Sequence, residues 1–554
     1  MMSWMPDRRE IIRGAALTGA ILPWGKVRAS LAGRAVDAAS LLREKWDYVI
    51  VGGGSAGCVL ARRLSEDAYV RVLLLEAGTD VHDAAVSAPT AWPTLAGGAF
   101  DWKYRSAPQA GLGGRSVPEP RGKGLGGSTL INALGFQRGP HQAYDRWAQE
   151  TGDIGWGFAA LLPYFKRLET ASAGGNAWRG GDGPLHVLAV GDATDHNPLS
   201  VAYAEAGIAT GHARNSDWNA ARADGTIWTQ LTMRDGHRDT AASAFLDPVR
   251  ARANLGVVTG ALVTRLRVET RRCTGVDLTI DGAAHHVSPQ RETILSAGAF
   301  DSPRLMLLSG IGDADTLRLA GVPATHHLPG VGRNLHDHPL IAGLLYRAKQ
   351  PVPVSHYNHC ETMVIATSSL GPGWADLQLM GLSAPFLLPG LGTPPAHSFS
   401  IVPALMHPRS RGSLTLASAD PRVPAIIDPN YLGDEADVAA LVEGVEIARA
   451  LADTPSMRAW VADEVLPGRA LRDRAAIAAH VRRSVSPFFH PVSTCRMGRS
   501  DDAQAVVDTE CRVRGLAGLR VVDASIFPSI PQAMTNAATL VVAERAADLV
   551  RHAA

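Results

Sequence analysis

At 554 residues, with 46% apolar and 19% charged residues and a formal net charge of +1, the chain exceeds a single-core domain and carries neither a basic nucleic-acid footprint nor an acidic tail. Its five cysteines, Cys58, Cys273, Cys360, Cys495 and Cys511, are odd in number, scattered and without a C-x-x-C pair. That pattern argues against a disulfide framework or a cysteine zinc site and leaves room for one chance pairing.

The chain opens with the three parts of an export signal: Asp7-Arg8-Arg9-Glu10-Ile11-Ile12-Arg13, a mildly apolar run from Gly14 to Trp24, and Val27-Arg28-Ala29 as a cleavage site before Ser30. The paired Arg8 and Arg9 make it resemble a twin-arginine signal peptide, expected over residues 1–35. The apolar run is far short of the roughly 20 residues that span a bilayer, so no permanent membrane span is expected. The twin-arginine route exports folded proteins, so the expectation is a periplasmic or exported protein that takes up any cofactor in the cytoplasm.

Trp46 to Val51 is a β-branched apolar run of buried-strand type, and it leads straight into Gly52-Gly53-Gly54-Ser55-Ala56-Gly57. Gly52, Gly54 and Gly57 form G-x-G-x-x-G: the first for a tight turn, the second for backbone approach to a pyrophosphate, the third for close strand-helix packing. Helical periodicity follows from Cys58 to Leu64, then a second strand from Val70 to Leu75. It ends in Glu76, about 20 residues past the middle glycine, where an acid accepts from a ribose hydroxyl. Strand, glycine turn, helix, strand and acid together predict a dinucleotide-binding βαβ unit.

A second glycine-rich stretch, Arg121 to Asn132, is too poor in side chains to fill a core and leaves successive backbone N–H groups free to face a ligand. Asp145 to Lys166 and the Gly174 to Gly183 run lead into a region poorer in motifs, and Asn254 to Val258 and Leu262 to Leu266 return to strand-like alternation. From about residue 346 to 484 the text is turn-rich, as in Met406-His407-Pro408-Arg409, and no internal repeat or low-complexity tract is present. Leu519 to Ser525 reads as a strand, then a Pro-punctuated loop and a helix from about Ala537 to His552.

Within Ser486 to Gly498, S-P-F-F-H-P-V-S-T-C-R-M-G, His490 stands without a second His or an Asp/Glu. By itself it reads equally as a proton-transfer group or a core histidine; as a metal ligand it lacks partners at suitable spacing, since His336 and His338 belong to another motif. No metal site is expected.

The order G-G-G-S-A-G, L-G-G-S-T-L-I-N, Ala297 to Leu305 with Ser309-Gly310-Ile311-Gly312, Leu328 to Pro339, and H-P-V-S-T-C-R-M-G resembles the glucose-methanol-choline (GMC) family of FAD-dependent oxidoreductases over nearly all of the chain after residue 44. The resemblance implies an α/β fold: a discontinuous Rossmann-like FAD-binding domain from residues 44–150, 225–345 and 485–554, interleaved with an α+β substrate-binding domain from 151–224 and 346–484. It implies FAD contacts at Gly52, Gly54, Ser55, Ala56, Gly57 and Glu76, at Arg121, Gly126, Gly127, Ser128 and Asn132, at Val263 facing the adenine, and at Asp523, Ala524 and Asn536. The C-terminal helix would direct its N-terminus at the pyrimidine edge of the flavin, where its partial positive charge stabilises an anionic reduced state.

The same resemblance makes His490 the general base that takes the hydroxyl proton of an alcohol while the α-carbon gives hydride to flavin N5. Two departures from the family pattern stand out. The position beside the base, usually His or Asn, falls on Met534, which cannot donate a hydrogen bond, so Asn536, a water or the substrate itself has to compensate or the pocket is more apolar. The position of a covalently bonded histidine in some relatives is Ile131, which predicts non-covalent FAD. The expected activity is oxidation of a primary or aryl-type alcohol to an aldehyde, with O₂ or a quinone or cytochrome as electron acceptor; a lyase or light-driven decarboxylase and a non-catalytic flavin-binding protein are the alternatives.

Overall fold

Residues 46 to 51, all but one of them apolar, form an inner strand of a seven-stranded sheet in the computed structural model, which describes residues 29–553. Trp46–Val51 lies parallel between Val72–Glu76 and Pro289–Leu295. Leu255–Thr259 extends the sheet beyond the former and Leu519–Val521 beyond the latter, both in parallel. Burial on both faces explains why Trp46–Val51, Val72–Glu76 and Leu255–Thr259 read as nearly continuous apolar runs, whereas Pro289–Leu295 is buried only over its last three residues.

The antiparallel edge of this sheet is Ala29–Leu31, paired Ala29 to Val258, with Arg34–Ala35 outside it. The leader expected over residues 1–35 overlaps this edge. Residues 1–28 lie outside the described residues, but residues 29–35 belong to the folded sheet, Ala29 is buried, and a cut before Ser30 would sever a paired strand.

Ser55–Leu64 leaves the Trp46–Val51 strand and packs against the C-terminal helix, Thr535–His552, where buried Glu544 accepts from Arg63 Nε at 2.9 Å. The latter helix starts two residues earlier than expected because Thr535 and Asn536 occupy its first turn. Arg167 on the helix Phe158–Leu168 also reaches Glu544, at 2.7 Å, and Phe158, Leu161 and Phe165 share the cofactor-side core. That helix, expected in the substrate domain, packs on the cofactor domain instead.

The second large sheet has nine strands, mostly antiparallel, in the order Val461–Leu466, Leu345–Ala348, Ser398–Leu405, Leu377–Leu382, Thr362–Ala366, Gly225–Trp228 and Arg214–Asn215, with Pro339–Ile341 and Val485–Pro487 joined at one side. Gly225–Trp228 was expected on the cofactor side; its register, Gly225 to Ile365 through Trp228 to Thr362, puts it in this sheet.

Both faces of the sheet are apolar, with period two. Val364, Leu379 and Ile401 face the helices Pro198–Ala209 and Glu435–Ala452, while Met363, Ile365, Met380, Leu382, Val402 and Ala404 pack together on the opposite side. All five cysteines are unpaired and buried. Among the described residues no helix is long and apolar enough to cross a membrane.

Candidate active site

One cavity runs from the glycine turn after Trp46–Val51 to the apolar face of the second sheet. Gly52, at φ +104°, has a conformation that only glycine adopts without strain, and a Cβ on Gly57 would lie 1.9 Å from Gly52 O, so the third glycine sets how closely helix meets strand. A Cβ on Gly54 would meet only Gly127 Cα, at 3.8 Å, and otherwise fill the cavity. Gly54, Ser55, Ala56, Arg121, Gly127, Ser128, Asn132, Val263 and Ala524, all expected as cofactor contacts, line this space. Gly57 and Gly126 do not; the former packs the helix, and the latter, at φ +100°, donates to Gly53 O.

Two helices without side-chain caps, Ser55–Leu64 and Thr535–His552, begin at the cavity, and unpaired amides at such ends attract anions. Ser55 Oγ donates to Asn536 Oδ1 at 2.8 Å and ties the two ends together. Asn536 is held at the helix junction by its oxygen, which leaves its Nδ2 hydrogens as the donors it can offer the cavity.

The acids expected to contact cofactor are largely engaged by protein. Glu76 accepts from Gly78 N at 2.7 Å and Gly124 N at 3.1 Å on Oε1 and from Gly53 N at 2.8 Å on Oε2, which leaves one lone pair of Oε2 for a ribose hydroxyl and makes the carboxylate a staple between the two glycine segments. Asp523 accepts from Gly298 N at 2.9 Å, from Ser302 Oγ and from Ser525 N at 2.8 Å. The glycine cradle, the paired helix ends and the remaining lone pair on Glu76 fit a bound dinucleotide.

His490 lies at the far end of the cavity beside Phe488 and Met534. Its Nδ1 stands 3.0 Å from Nδ1 of His338, the rings meeting edge to face. Burial, then the cost of placing a second charge beside His338 and of placing one near Arg121, holds the pKa of His490 well below the ordinary imidazole range. Burial likewise pulls His338 down to about 3. Both rings are neutral, so one Nδ1 donates to the other; with His490 as the donor, its Nε2 is the unprotonated nitrogen that remains to accept. His338 was set apart from His490 in the sequence; the L-H-D-H-P segment that carries it was the available signal.

The wall opposite the glycine cradle is Met363, Met380, Leu382, Phe386, Leu388 and Val402, with Cys360 and Asn358. Asn358 is engaged within the protein, donating to Ala133 O at 2.6 Å and accepting from Cys360 N at 3.1 Å. The carboxylates that line the cavity, Glu76, Asp301 and Asp523, all belong to cofactor-domain segments, and Asp301 accepts from Tyr104 Oη at 2.6 Å and Arg304 at 3.2 Å. Met534 caps the C-terminal helix and points its sulfur at Gly135, where a Cβ would lie 2.1 Å from Sδ.

A dinucleotide cradle in one domain, an apolar wall in the other and a neutral imidazole between them define a cofactor-dependent oxidoreductase. The GMC oxidoreductase N-terminal model matches residues 46–340 and the C-terminal model residues 408–543. An oxygen-dependent choline dehydrogenase of Vibrio vulnificus is 37% identical over 536 residues, covering 92% of this chain and 95% of its own. A pyridoxine 4-oxidase of Microbacterium luteolum is 38% identical over 504 residues, covering 90% and 98%. The crystal structure of pyridoxine 4-oxidase from Mesorbium loti superposes with a TM-score of 0.89 at 38% identity, covering 92% of this chain and 99% of that one. The chain belongs to the GMC oxidoreductase family and is an FAD-dependent oxidoreductase acting on CH–OH donors.

Proposed function

We propose that this enzyme oxidises an uncharged primary or aryl-type alcohol to its aldehyde. The observation that carries the reading is the position of His490, the one polar ring at the apolar end of the cavity, with Nδ1 held by His338 and Nε2 toward the substrate space. Bound FAD supplies the acceptor for the hydride that leaves the carbinol carbon. His490 accepts the hydroxyl proton, and its neutral state before reaction suits that role. Met363, Met380, Leu382 and Phe386 exclude water around the carbon skeleton and offer nothing to a second hydroxyl.

The choline named for the Vibrio relative suits this wall poorly. A quaternary ammonium would find two phenylalanine rings, Phe386 and Phe488, but no carboxylate on the substrate side, and an unpaired cation in an apolar site is costly. Anaerobic titration in the dark with benzyl alcohol, hexan-1-ol, choline and glucose tests the reading. The flavin absorbance should bleach with the first two and respond weakly to the others; a flavin left oxidised by every alcohol overturns it, and admitting O₂ or a quinone afterwards identifies the electron acceptor.

Export through the twin-arginine route is the second part of the proposal. Support comes from Arg8, Arg9 and the Gly14 to Trp24 run, followed by a paired strand beginning at Ala29. Arg8→Lys with Arg9→Lys in the full chain should retain the protein in the cytoplasm, and unchanged recovery from the periplasm overturns export by this route.

A further inference from the structure

Behind the Phe489–His490 peptide lie three buried side chains that do not line the cavity: Glu119, Asp337 and Tyr431. Asp337 Oδ1 accepts from His490 N at 2.7 Å, while Arg121 Nη2 donates to Phe489 O. A carboxylate and a guanidinium thus grip the N–H and C=O of one peptide, each matched in sign to its end of the dipole. Phe489 sits at φ +65°, a conformation that bulky residues keep only where neighbours impose it.

The carboxylate side of this clamp extends inward. Tyr431 Oη lies 2.6 Å from Asp337 Oδ2 and 2.9 Å from Glu119 Oε1. A phenol has one hydrogen to give, so it can serve both carboxyls only if one of them is protonated and donates into the phenol oxygen. Asp337 accepts from His490 N while Glu119 Oε2 is buried without a partner, which favours the proton on Glu119: Glu119 donates to Tyr431, and Tyr431 donates to Asp337. Burial raises both acids, Glu119 well above the ordinary carboxyl range and Asp337 to about 6, in keeping with a proton shared between two carboxyls.

We infer that Asp337 is a positioning residue for His490, held in orientation by the hydrogen-bond chain from Glu119 through Tyr431, and that with Arg121 it fixes the strained peptide from which the base projects. The inference rests on the reading of His490 as the base, and its test separates the two.

Hydrogen exchange in the holoenzyme needs no substrate. In Asp337→Asn and Tyr431→Phe, the peptide covering Phe488 to His490 should exchange at least tenfold faster than in the wild type, with the Ser55–Leu64 helix unchanged. Anaerobic reduction by benzyl alcohol supplies the second readout: the limiting rate per bound flavin should fall at least tenfold in both variants, with the apparent Kd for the alcohol and the FAD content unaltered. Glu119→Leu should behave alike, and Glu119→Gln, which keeps a donor toward Tyr431, should recover most of the loss. Unchanged exchange, or faster exchange with an unchanged limiting rate per flavin, overturns the inference. A wild-type flavin that no alcohol reduces brings down the reading of the base, and exchange alone then decides whether the clamp exists.

Discussion

His338 and His490 face each other Nδ1 to Nδ1 across 3.0 Å, so Nε2 is the nitrogen of His490 left for the substrate, and it can accept a proton when the shared hydrogen sits on His490 Nδ1. An imidazole that accepts a proton has to be neutral beforehand, and burial, then the neighbouring His338 ring and the Arg121 cation, lowers the pKa of His490. Lowering extends the neutral form toward acid. The rate constant of flavin reduction should therefore stay level from about pH 8 down through about 6.5, the ordinary imidazole value, and fall only at lower pH. A stopped-flow profile centred at 6.5 or above would contradict this.

Loss of the proposed base should be severe and confined to chemistry. His490→Ala should lower the limiting reduction rate by about 10²- to 10⁴-fold while the protein still purifies with FAD. His338→Ala, which leaves Nδ1 of His490 without its partner and the ring free to turn, should cost ~10-fold or more. Rapid-mixing kinetics on flavin-matched samples measures both.

Met534 lines the cavity at the position where the family resemblance expects a hydrogen-bond donor to the substrate oxygen, and the Asn536 oxygen is tied to Ser55. Met534→Asn should raise the limiting rate on small alcohols by about tenfold or more, since a single donor to a developing oxyanion is worth about 10²- to 10³-fold where geometry is favourable. Equal rates for the variant and the wild type would show that the donor is supplied elsewhere. Gly135→Ala, whose Cβ would press on the Met534 sulfur, should impair the wild type and be better tolerated with a smaller residue at 534.

Ile131 lines the cavity with an aliphatic side chain that has no nucleophile to offer the cofactor. Acid precipitation of the holoenzyme should release the yellow colour to the supernatant, and colour retained in the pellet would establish a covalent bond.

The cofactor half was legible because its parts are contiguous: Trp46 to Gly57 contains a strand, a turn and a helix start within one short segment, each with its own residue signature. The His338–His490 contact joins residues 152 apart, and the Glu119–Tyr431–Asp337 chain draws on three separate segments, so no local pattern announces either. The substrate wall escaped for another reason. Thr362–Ala366 and Ser398–Leu405 are apolar on both faces, which erases the polar-apolar alternation that marks a strand with one dry side. Domain limits failed at Gly225–Trp228 and Phe158–Leu168, where a segment joins the sheet or helix that completes its apolar face rather than the one nearest in sequence.

The unpaired cysteines carry a consequence for where this protein can work. Burial pushes the thiols of Cys58 and Cys511 up to about 12 and raises those of Cys273, Cys360 and Cys495, so the thiolate needed for oxidation or exchange hardly forms. With no bridge to make or break, the fold is the same molecule in a reducing compartment and in an oxidising one, and passage between the two asks nothing of its covalent structure.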